Sequence, residues 1–231
     1  PVTISVYPIP IVTNETKISC QNSSIILDAG LNNVTYLWST AATTKTITVT
    51  NPGIYTVTVT SLPPQNCSAV KTITVIQHTT PQISEINVIE NLVTINCTGI
   101  GDFEYSLDGI QFQDSNVFSV IEGGLYTAFV REKFECGEDN KPFIVISIPK
   151  FFTPNNDGYN DNWFIKGLSY YPNAEVKIFD RYQKLITVLN ATQNLWDGTL
   201  NGKLMLGDDY WYVYKINAES AEVKGHFSLK R

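Results

Sequence analysis

An alternation with a period of two residues runs through the first part of the sequence and limits what the chain can fold into. Apolar and hydroxyl side chains alternate at residues 46–50 and again at residues 55–60. This spacing places the two kinds of side chain on opposite faces of a strand, and threonine suits the exposed face because it is β-branched. No stretch of ten or more residues shows convincing helical periodicity. The sequence therefore predicts an all-β fold.

Short turn signals separate the predicted strands. Proline, glycine, asparagine and aspartate cluster at residues 51–53, 62–64, 107–109 and 122–124. Turns that recur at such short spacing are typical of a β-sandwich. Of the 231 residues, 43% are apolar and only 16% are charged. The chain can therefore build packed cores, and its composition excludes intrinsic disorder.

Two segments repeat the same order of landmarks, which is a cysteine, a tyrosine, a Gly-x-Tyr-Thr sequence and a second cysteine. These landmarks are Cys20, Tyr36, residues 53–56 and Cys67, and then Cys97, Tyr105, residues 124–127 and Cys136. The repeat predicts two tandem immunoglobulin-like sandwiches, with Trp38 as the core aromatic residue of the first. The Gly-x-Tyr-Thr sequence predicts a tyrosine corner, in which the phenol bonds an upstream backbone group.

The four cysteines allow three pairings. The repeat favours Cys20–Cys67 and Cys97–Cys136, because only this choice keeps each bridge inside its own segment. Such bridges indicate the periplasm, the cell surface or the medium. Four buried thiols or a zinc site are the alternatives. Zinc is disfavoured because no Cys-x-x-Cys pair occurs and both histidines lie far from the cysteines in sequence.

The charge is distributed unevenly along the chain. Residues 1–80 carry three basic and two acidic side chains, residues 81–149 carry three and eleven, and residues 150–231 carry ten and nine. A shift of this size supports three separate units. We place them at residues 1–78, 79–149 and 150–231, each a β-sandwich.

Two classes of partner are excluded by composition. The net charge of −6 and the lack of a Lys/Arg cluster exclude strongly basic nucleic-acid binding. No apolar run approaches the roughly 20 residues of a transmembrane segment. The sequence opens at Pro1 without a signal peptide, so we expect a piece of a longer protein.

The last 82 residues differ in composition from the rest of the chain, with many aromatic residues and no cysteine. Four strands are predicted, at residues 174–180, 184–189, 209–216 and 222–229, with Asp-Gly and Asn-Gly turns at 197–198 and 201–202. The last strand alternates between an apolar and a polar face and ends two residues before the chain does. A partner can recognise such a strand by strand addition or through its basic end.

Five motifs in this segment stand in the order of a known family: Thr-Pro-Asn-x-Asp-Gly at 153–158, Phe-Asp-Arg-Tyr at 179–182, Trp-Asp-Gly-Thr at 196–199, Asp-Asp-Tyr-Trp at 208–211 and Gly-His-Phe-x-Leu-Lys-Arg at 225–231. The segment resembles the type B C-terminal sorting domain of the type IX secretion system, also called the gliding motility-associated C-terminal domain, of Bacteroidetes. Less specifically, residues 36–40 and 105–109 resemble PKD-like and adhesin-repeat modules.

The resemblance implies a folded export signal. Such a domain folds in the periplasm, and its partners are outer-membrane components of the type IX translocon together with a gliding-type helper barrel protein. Surface attachment or release follows export. The upstream modules would then belong to a secreted surface protein, a large adhesin that the resemblance also connects with gliding.

The resemblance also implies which residues the translocon recognises: Asp180, Arg181, Tyr182, Trp211, Gly225, His226, Phe227, Leu229, Lys230 and Arg231. For Tyr210, Tyr212 and Tyr214, which share one face of a strand, a place in the core is favoured over contact. Asp180 and Arg181 are equally explained as a local turn-stabilising pair. The family usually has glycine where this chain has Asn156 and Gln183, and glutamine preserves a left-handed turn less well than asparagine.

Four oxygen-bearing side chains surround a glycine at the start of this segment: Asn155, Asp157, Asn160 and Asp161. Calcium prefers such a density of hard ligands, so the set is a candidate calcium site. It lacks the glutamate and helices of an EF-hand. Asx turns leading into Trp163 explain the same residues without a metal, and this alternative is favoured.

Catalytic motifs are absent from the sequence, which contains no nucleophile elbow, phosphate loop, HExxH or Cys–His arrangement, and His78 falls in a predicted linker. The chain is therefore not expected to be an enzyme. A second hypothesis is a carbohydrate-binding or adhesive module for surface glycans or other substrata. It uses exposed Trp163, Tyr170, Tyr171 or Trp211 as stacking platforms, although such aromatic residues more often belong to a core.

Overall fold

The computed structural model describes residues 7–89, 91–120 and 122–231. Twenty-one strands and one turn of 3₁₀ helix at Leu168–Tyr170 form the regular structure of these ranges, which contain no α-helix. Nowhere in them is there a helix long and apolar enough to cross a membrane. The predicted all-β, immunoglobulin-like class is confirmed.

Six strands form the first sandwich: β1 (Glu15–Cys20), β2 (Ile25–Asp28), β3 (Val34–Trp38), β4 (Thr46–Val49), β5 (Gly53–Ser61) and β6 (Ser68–His78). One sheet has the order β1-β6-β5-β3, and β2 and β4 pair in the other. β1 runs parallel to β6, whereas the remaining pairs are antiparallel. Trp38 lies in the core as predicted and is only 2% exposed.

The second sandwich also has six strands: β7 (Gln82–Ile89), β8 (Leu92–Thr98), β9 (Phe103–Ser106), β10 (Val117–Ser119), β11 (Gly124–Glu132) and β12 (Glu138–Val145). They pair in two antiparallel sheets, ordered β10-β8-β7 and β12-β11-β9. Val93, Ile95, Ala128 and Val130 are fully buried between the sheets.

The third sandwich is built from nine shorter strands: β13 (Phe151–Phe152), β14 (Trp163–Phe164), β15 (Glu175–Phe179), β16 (Leu185–Asn190), β17 (Leu195–Trp196), β18 (Thr199–Leu200), β19 (Lys203–Leu204), β20 (Asp208–Lys215) and β21 (Val223–Leu229). The main sheet has the order β13-β21-β20-β15-β16. β14 pairs with β17, and the predicted Asn201-Gly202 turn joins β18 to β19.

A tyrosine corner occurs in each sandwich. The hydroxyls of Tyr55 and Tyr126 donate to the carbonyl oxygens of Asn51 and Glu122 at 2.9 Å, which confirms the prediction from Gly-x-Tyr-Thr. Tyr210 makes the same bond to the carbonyl four residues upstream, at 2.9 Å. The third corner was not predicted, because its Gly-Asp-Asp-Tyr sequence differs from the repeated one.

Three separate apolar clusters correspond to the three sandwiches. Ile146 and Ile148, at the end of the second predicted unit, pack against the third cluster. Ser147 forms a β-bridge with Lys166 in the same region. The exact unit boundaries at 78/79 and 149/150 stay predictions.

The predicted disulfide pairing is wrong. Cys20 is bonded to Cys136, with a Cα–Cα distance of 5.0 Å, and Cys67 and Cys97 are free. Cys20 lies at the end of β1, beside the end of the parallel strand β6. Cys67 precedes the start of β6, so the length of that strand, about 33 Å, separates it from Cys20. A disulfide needs Cα atoms within about 7 Å. The bridge therefore joins two sandwiches.

The disulfide is part of a joint between the first two sandwiches. His78 is the last residue of β6 and is only 7% exposed, so its predicted place in a linker is wrong. Its Nδ1 donates to Oε1 of Glu132 at 2.7 Å. Thr80 then donates its hydroxyl hydrogen to the carbonyl of Cys136 at 2.8 Å. The joint thus combines a covalent bond, a buried polar pair and backbone contacts.

Candidate recognition surface

The inward face of β21 forms the centre of the third core. Phe227 and Leu229 are 0% and 2% exposed, and the ring of Phe227 stacks on Trp163 with centroids 3.9 Å apart. Both side chains were predicted to contact the translocon. Because they are enclosed by their own sheet, a partner of the folded unit cannot touch them.

Gly225 lies on the same inward face, directly opposite Tyr212 of β20. A Cβ atom at Gly225 would overlap the Tyr212 hydroxyl oxygen and would lie 2.5 Å from its Cζ atom. Tyr212 is itself packed against Trp163 and Phe227 and has little freedom to move away. Gly225 therefore contributes close packing rather than a contact for a partner.

We expect Gly225→Ala to lower the free energy of unfolding by about 1–3 kcal/mol, because the added methyl group overpacks the core. Denaturant unfolding followed by tryptophan fluorescence measures this, since three of the four tryptophans lie in the third sandwich. Lys224→Ala, on the exposed side of the same strand, is the matched control and is expected to change stability little. An unchanged midpoint for Gly225→Ala would contradict the close packing.

The outward face of the main sheet carries a short row of aromatic side chains. Trp211 is 44% exposed and lies between Phe179 of β15 and His226 of β21 in the strand register. Tyr210 and Tyr212, its neighbours in sequence, point inward and are buried. The favoured core placement of these two tyrosines is thus confirmed, whereas Trp211 and His226 remain available at the surface.

Asp180 shapes the turn that follows β15. Its Oδ1 atom accepts hydrogen bonds from the backbone N–H groups of Tyr182 and Lys184, both at 2.9 Å. Gln183 adopts the left-handed conformation with φ of 62°, and so does Asn156 with φ of 61°. The two departures from the family's usual glycine therefore keep left-handed backbone.

Arg181 extends from this turn to the start of β20, where it forms an ion pair with Asp208. The hydrogen bond from Arg181 is the main cause that holds the pKa of Asp208 below its ordinary value. The pair is solvent-exposed, so its contribution to stability is small. Beside it, Tyr182 is 82% exposed. Arg181 and Tyr182 together present a charged and an aromatic group to solvent.

The last two residues are tied to the rest of the sandwich. Arg231 donates from Nε to the carbonyl of Met205 at 2.9 Å and from Nη2 to the carbonyl of Gly198 at 3.2 Å. The backbone N–H of Lys230 bonds the carbonyl of Phe152 at 3.0 Å, and its Nζ lies 4.6 Å from the centroid of the Phe151 ring. The basic end of the chain is therefore held against the surface. Sequence reasoning missed the half-exposed Phe151 beneath it, for which the Phe151-Phe152 pair was the available signal.

The candidate calcium residues bond to the backbone of their own loop. The carboxylate of Asp161 accepts from the N–H groups of Asn155, Asn156 and Gly158, and Asp157 accepts from Tyr159. These bonds support the Asx-turn alternative. No group of three or more His, Cys, Asp or Glu side chains is arranged to hold a metal in the described ranges. A calcium site at Asn155, Asp157, Asn160 and Asp161 stays a prediction.

The aromatic residues proposed for glycan stacking have different environments. Trp163 is 0% exposed and its Nε1 donates to the carbonyl of Pro149, so its predicted exposure is wrong. The apolar environment provided by Phe227 and Tyr212 explains this burial. Tyr170 is half-exposed and Tyr171 packs partly against the core. Together with Trp211, these side chains do not form a continuous platform on one strand.

Residues 146–229 match the family model of the CHU_C type IX secretion signal domain. No curated protein matches the chain in sequence. Among solved structures, Sidekick-1 immunoglobulin domains 1–5 are 11% identical, with a TM-score of 0.37 over 95% of this chain and 58% of that one. The eight N-terminal immunoglobulin domains of Down Syndrome Cell Adhesion Molecule are 13% identical, with a TM-score of 0.33 over 94% and 36%. The chain thus spans less than two thirds of these structures, and the likeness concerns the fold alone.

Proposed function

We propose that the outer-membrane translocon recognises the third sandwich as a folded unit and exports the attached protein, because residues 146–229 match the family model of the type IX secretion signal domain. The observation that carries this proposal is the coincidence of the family match with a sandwich that has its own core. The protein is exported to the cell surface or the extracellular space.

The partners we propose are outer-membrane translocon components and a helper barrel protein of the gliding type. A folded signal is recognised through features that remain outside its core. On this sandwich they are Tyr182, Trp211 and the basic end at Lys230 and Arg231, all of which reach solvent. The buried Phe227 and Leu229 support this surface from beneath.

For the first two sandwiches we propose a non-enzymatic role, as part of the stalk of a large surface protein of a Bacteroidetes cell. The covalent joint between them supports this role, because it keeps two consecutive sandwiches attached outside the cell. Disulfides persist in the oxidising compartments through which such a protein passes. Adhesion to glycans or other substrata is the function proposed for the parent protein.

The test is a reporter that reaches the periplasm through its own signal peptide and is fused to residues 1–231. We expect the fluorescent reporter to appear outside a type IX-competent cell. The matched control ends at residue 145 and is expected to leave the reporter in the periplasm, because it lacks the matched segment. Periplasmic retention of the longer fusion, in a strain that exports its own type IX substrates, would contradict the proposal.

A further inference from the structure

The strand that ends the chain is paired unequally on its two sides. Along one side, β21 pairs with β20 from Val223 to Leu229. Along the other side, β13 covers only Ser228 and Leu229. The main sheet therefore has an open stretch of edge on β21, next to a very short covering strand.

The direction of the backbone groups on this edge follows from two hydrogen bonds. The N–H of Ser228 donates to the carbonyl of Lys150 at 2.9 Å, and the N–H of Lys230 donates to the carbonyl of Phe152 at 3.0 Å. Backbone groups alternate in direction along a strand, so the N–H groups of Lys224 and His226 point to the same side. Within the described part of the chain, neither nitrogen has a backbone partner. Two donors and their carbonyls are left for another strand.

An apolar groove lies at the start of this open edge. Val223 and Tyr214 line it together with Ile146, Ile148 and Tyr171. Val88 and Ile144 of the second sandwich close its other side, and its volume is about 400 Å³. Val223 is 42% exposed although it belongs to the apolar face of its strand. In recognition by strand addition, main-chain bonds supply affinity and pockets for alternate side chains supply specificity. The edge and the groove together provide both elements.

The charges along the edge restrict what can bind there. From residue 222 onward the chain carries Lys224, Lys230 and Arg231 against the single acid Glu222. Lys224 is 66% exposed at its side chain and pairs with that glutamate at 3.1 Å. An added strand with carboxylates near the lysines would therefore complement the edge.

We propose that the open edge of β21 binds an extended strand of the export machinery by β-augmentation. That strand carries acidic side chains near Lys224 and Lys230 and places an apolar side chain in the groove beside Val223. This inference rests on the proposed function, because it names how the translocon recognises the same sandwich. Backbone groups, rather than the His226 side chain, are the recognised feature.

The test uses the fusion of the reporter to residues 1–231 with three variants. His226→Pro removes the outward N–H and is compatible with an edge position, because this N–H is unpaired. His226→Ala is the matched control that keeps the N–H. Val223→Asp places a carboxylate at the mouth of the groove, on a side chain that is already half-exposed. Each purified chain is checked for a wild-type melting temperature.

We expect export to fall at least tenfold for His226→Pro and for Val223→Asp, and to stay at the wild-type level for His226→Ala. Wild-type export by either of the first two variants, when folded, would overturn the inference. An equal loss for His226→Ala would also overturn it, since the side chain would then be what is recognised. If His226→Pro fails to fold, export of Val223→Asp alone tests the inference. Retention of the wild-type fusion would instead contradict the proposed function itself.

Discussion

Pulled from its two ends, the oxidised chain is expected to extend by about 400 Å less than a chain in which Cys20 and Cys136 are both replaced by serine. The disulfide joins residues 116 positions apart, so tension passes from Cys20 directly to Cys136. The residues between them lie outside the loaded path, and extended backbone spans about 3.5 Å per residue. Single-molecule force spectroscopy of the full chain measures the difference.

The matched control for this experiment is Cys67→Ser, which changes a free thiol and is expected to leave the extension as in wild type. A reducing agent should convert the wild-type trace into that of the double variant. Equal total extension of the oxidised chain and the double variant would contradict the bridge between sandwiches. The same result would remove the mechanical support for a stalk role.

The bridge shields most of the first two sandwiches from the applied tension. Each of the two bridges predicted from the repeat would lie inside one sandwich. It would reduce the extension of a stretched chain only by the loop that it closes. A bond from Cys20 to Cys136 instead encloses five strands of the first sandwich and all but one of the second. The enclosed part can still open locally, but it cannot lengthen the chain while the bond holds.

Local patterns in the sequence were enough to predict strands β5 and β21. The alternation at residues 55–60 and 222–229 appears as β5 and β21, because each side chain on those strands faces either a core or solvent. The two tyrosine corners followed from the repeated Gly-x-Tyr-Thr sequence for a similar reason. In both cases a few consecutive residues carry the whole pattern.

Features that depend on distant pairing were not predictable in this way. The parallel pairing of β1 with β6 determines which end of the sandwich Cys20 occupies, and no local pattern encodes it. The burial of His78 depends on Glu132, which is 54 residues away in sequence. Likewise, the open edge of β21 depends on how few residues of β13 cover it. The alternation predicted the faces of the strand but could not predict its neighbours.

Glu132 is the most constrained charged residue at the joint of the first two sandwiches. Its side chain is 0% exposed, and it accepts hydrogen bonds from His78 at 2.7 Å, from the N–H of Phe134 at 2.7 Å and from the N–H of Cys136 at 3.3 Å. Burial alone raises the pKa of this carboxyl. The hydrogen bonds from His78, Phe134 and Cys136 outweigh burial and hold the pKa below its ordinary value of 4.5.

We expect Glu132→Ala to lower the free energy of unfolding by about 3–5 kcal/mol, because it leaves buried donors without an acceptor. Glu132→Gln should lower the stability less than Glu132→Ala does, since its amide oxygen still accepts in place of one of the two carboxylate oxygens. A depressed pKa gives stability that is present above the ordinary value and lost as pH falls below it. Wild type should therefore lose stability more steeply than Glu132→Gln below about pH 4.5. Denaturant unfolding between pH 3 and pH 7 tests both expectations. Glu138→Gln, at an exposed position, is the matched control. Parallel pH profiles for wild type and Glu132→Gln would contradict the depressed pKa of Glu132.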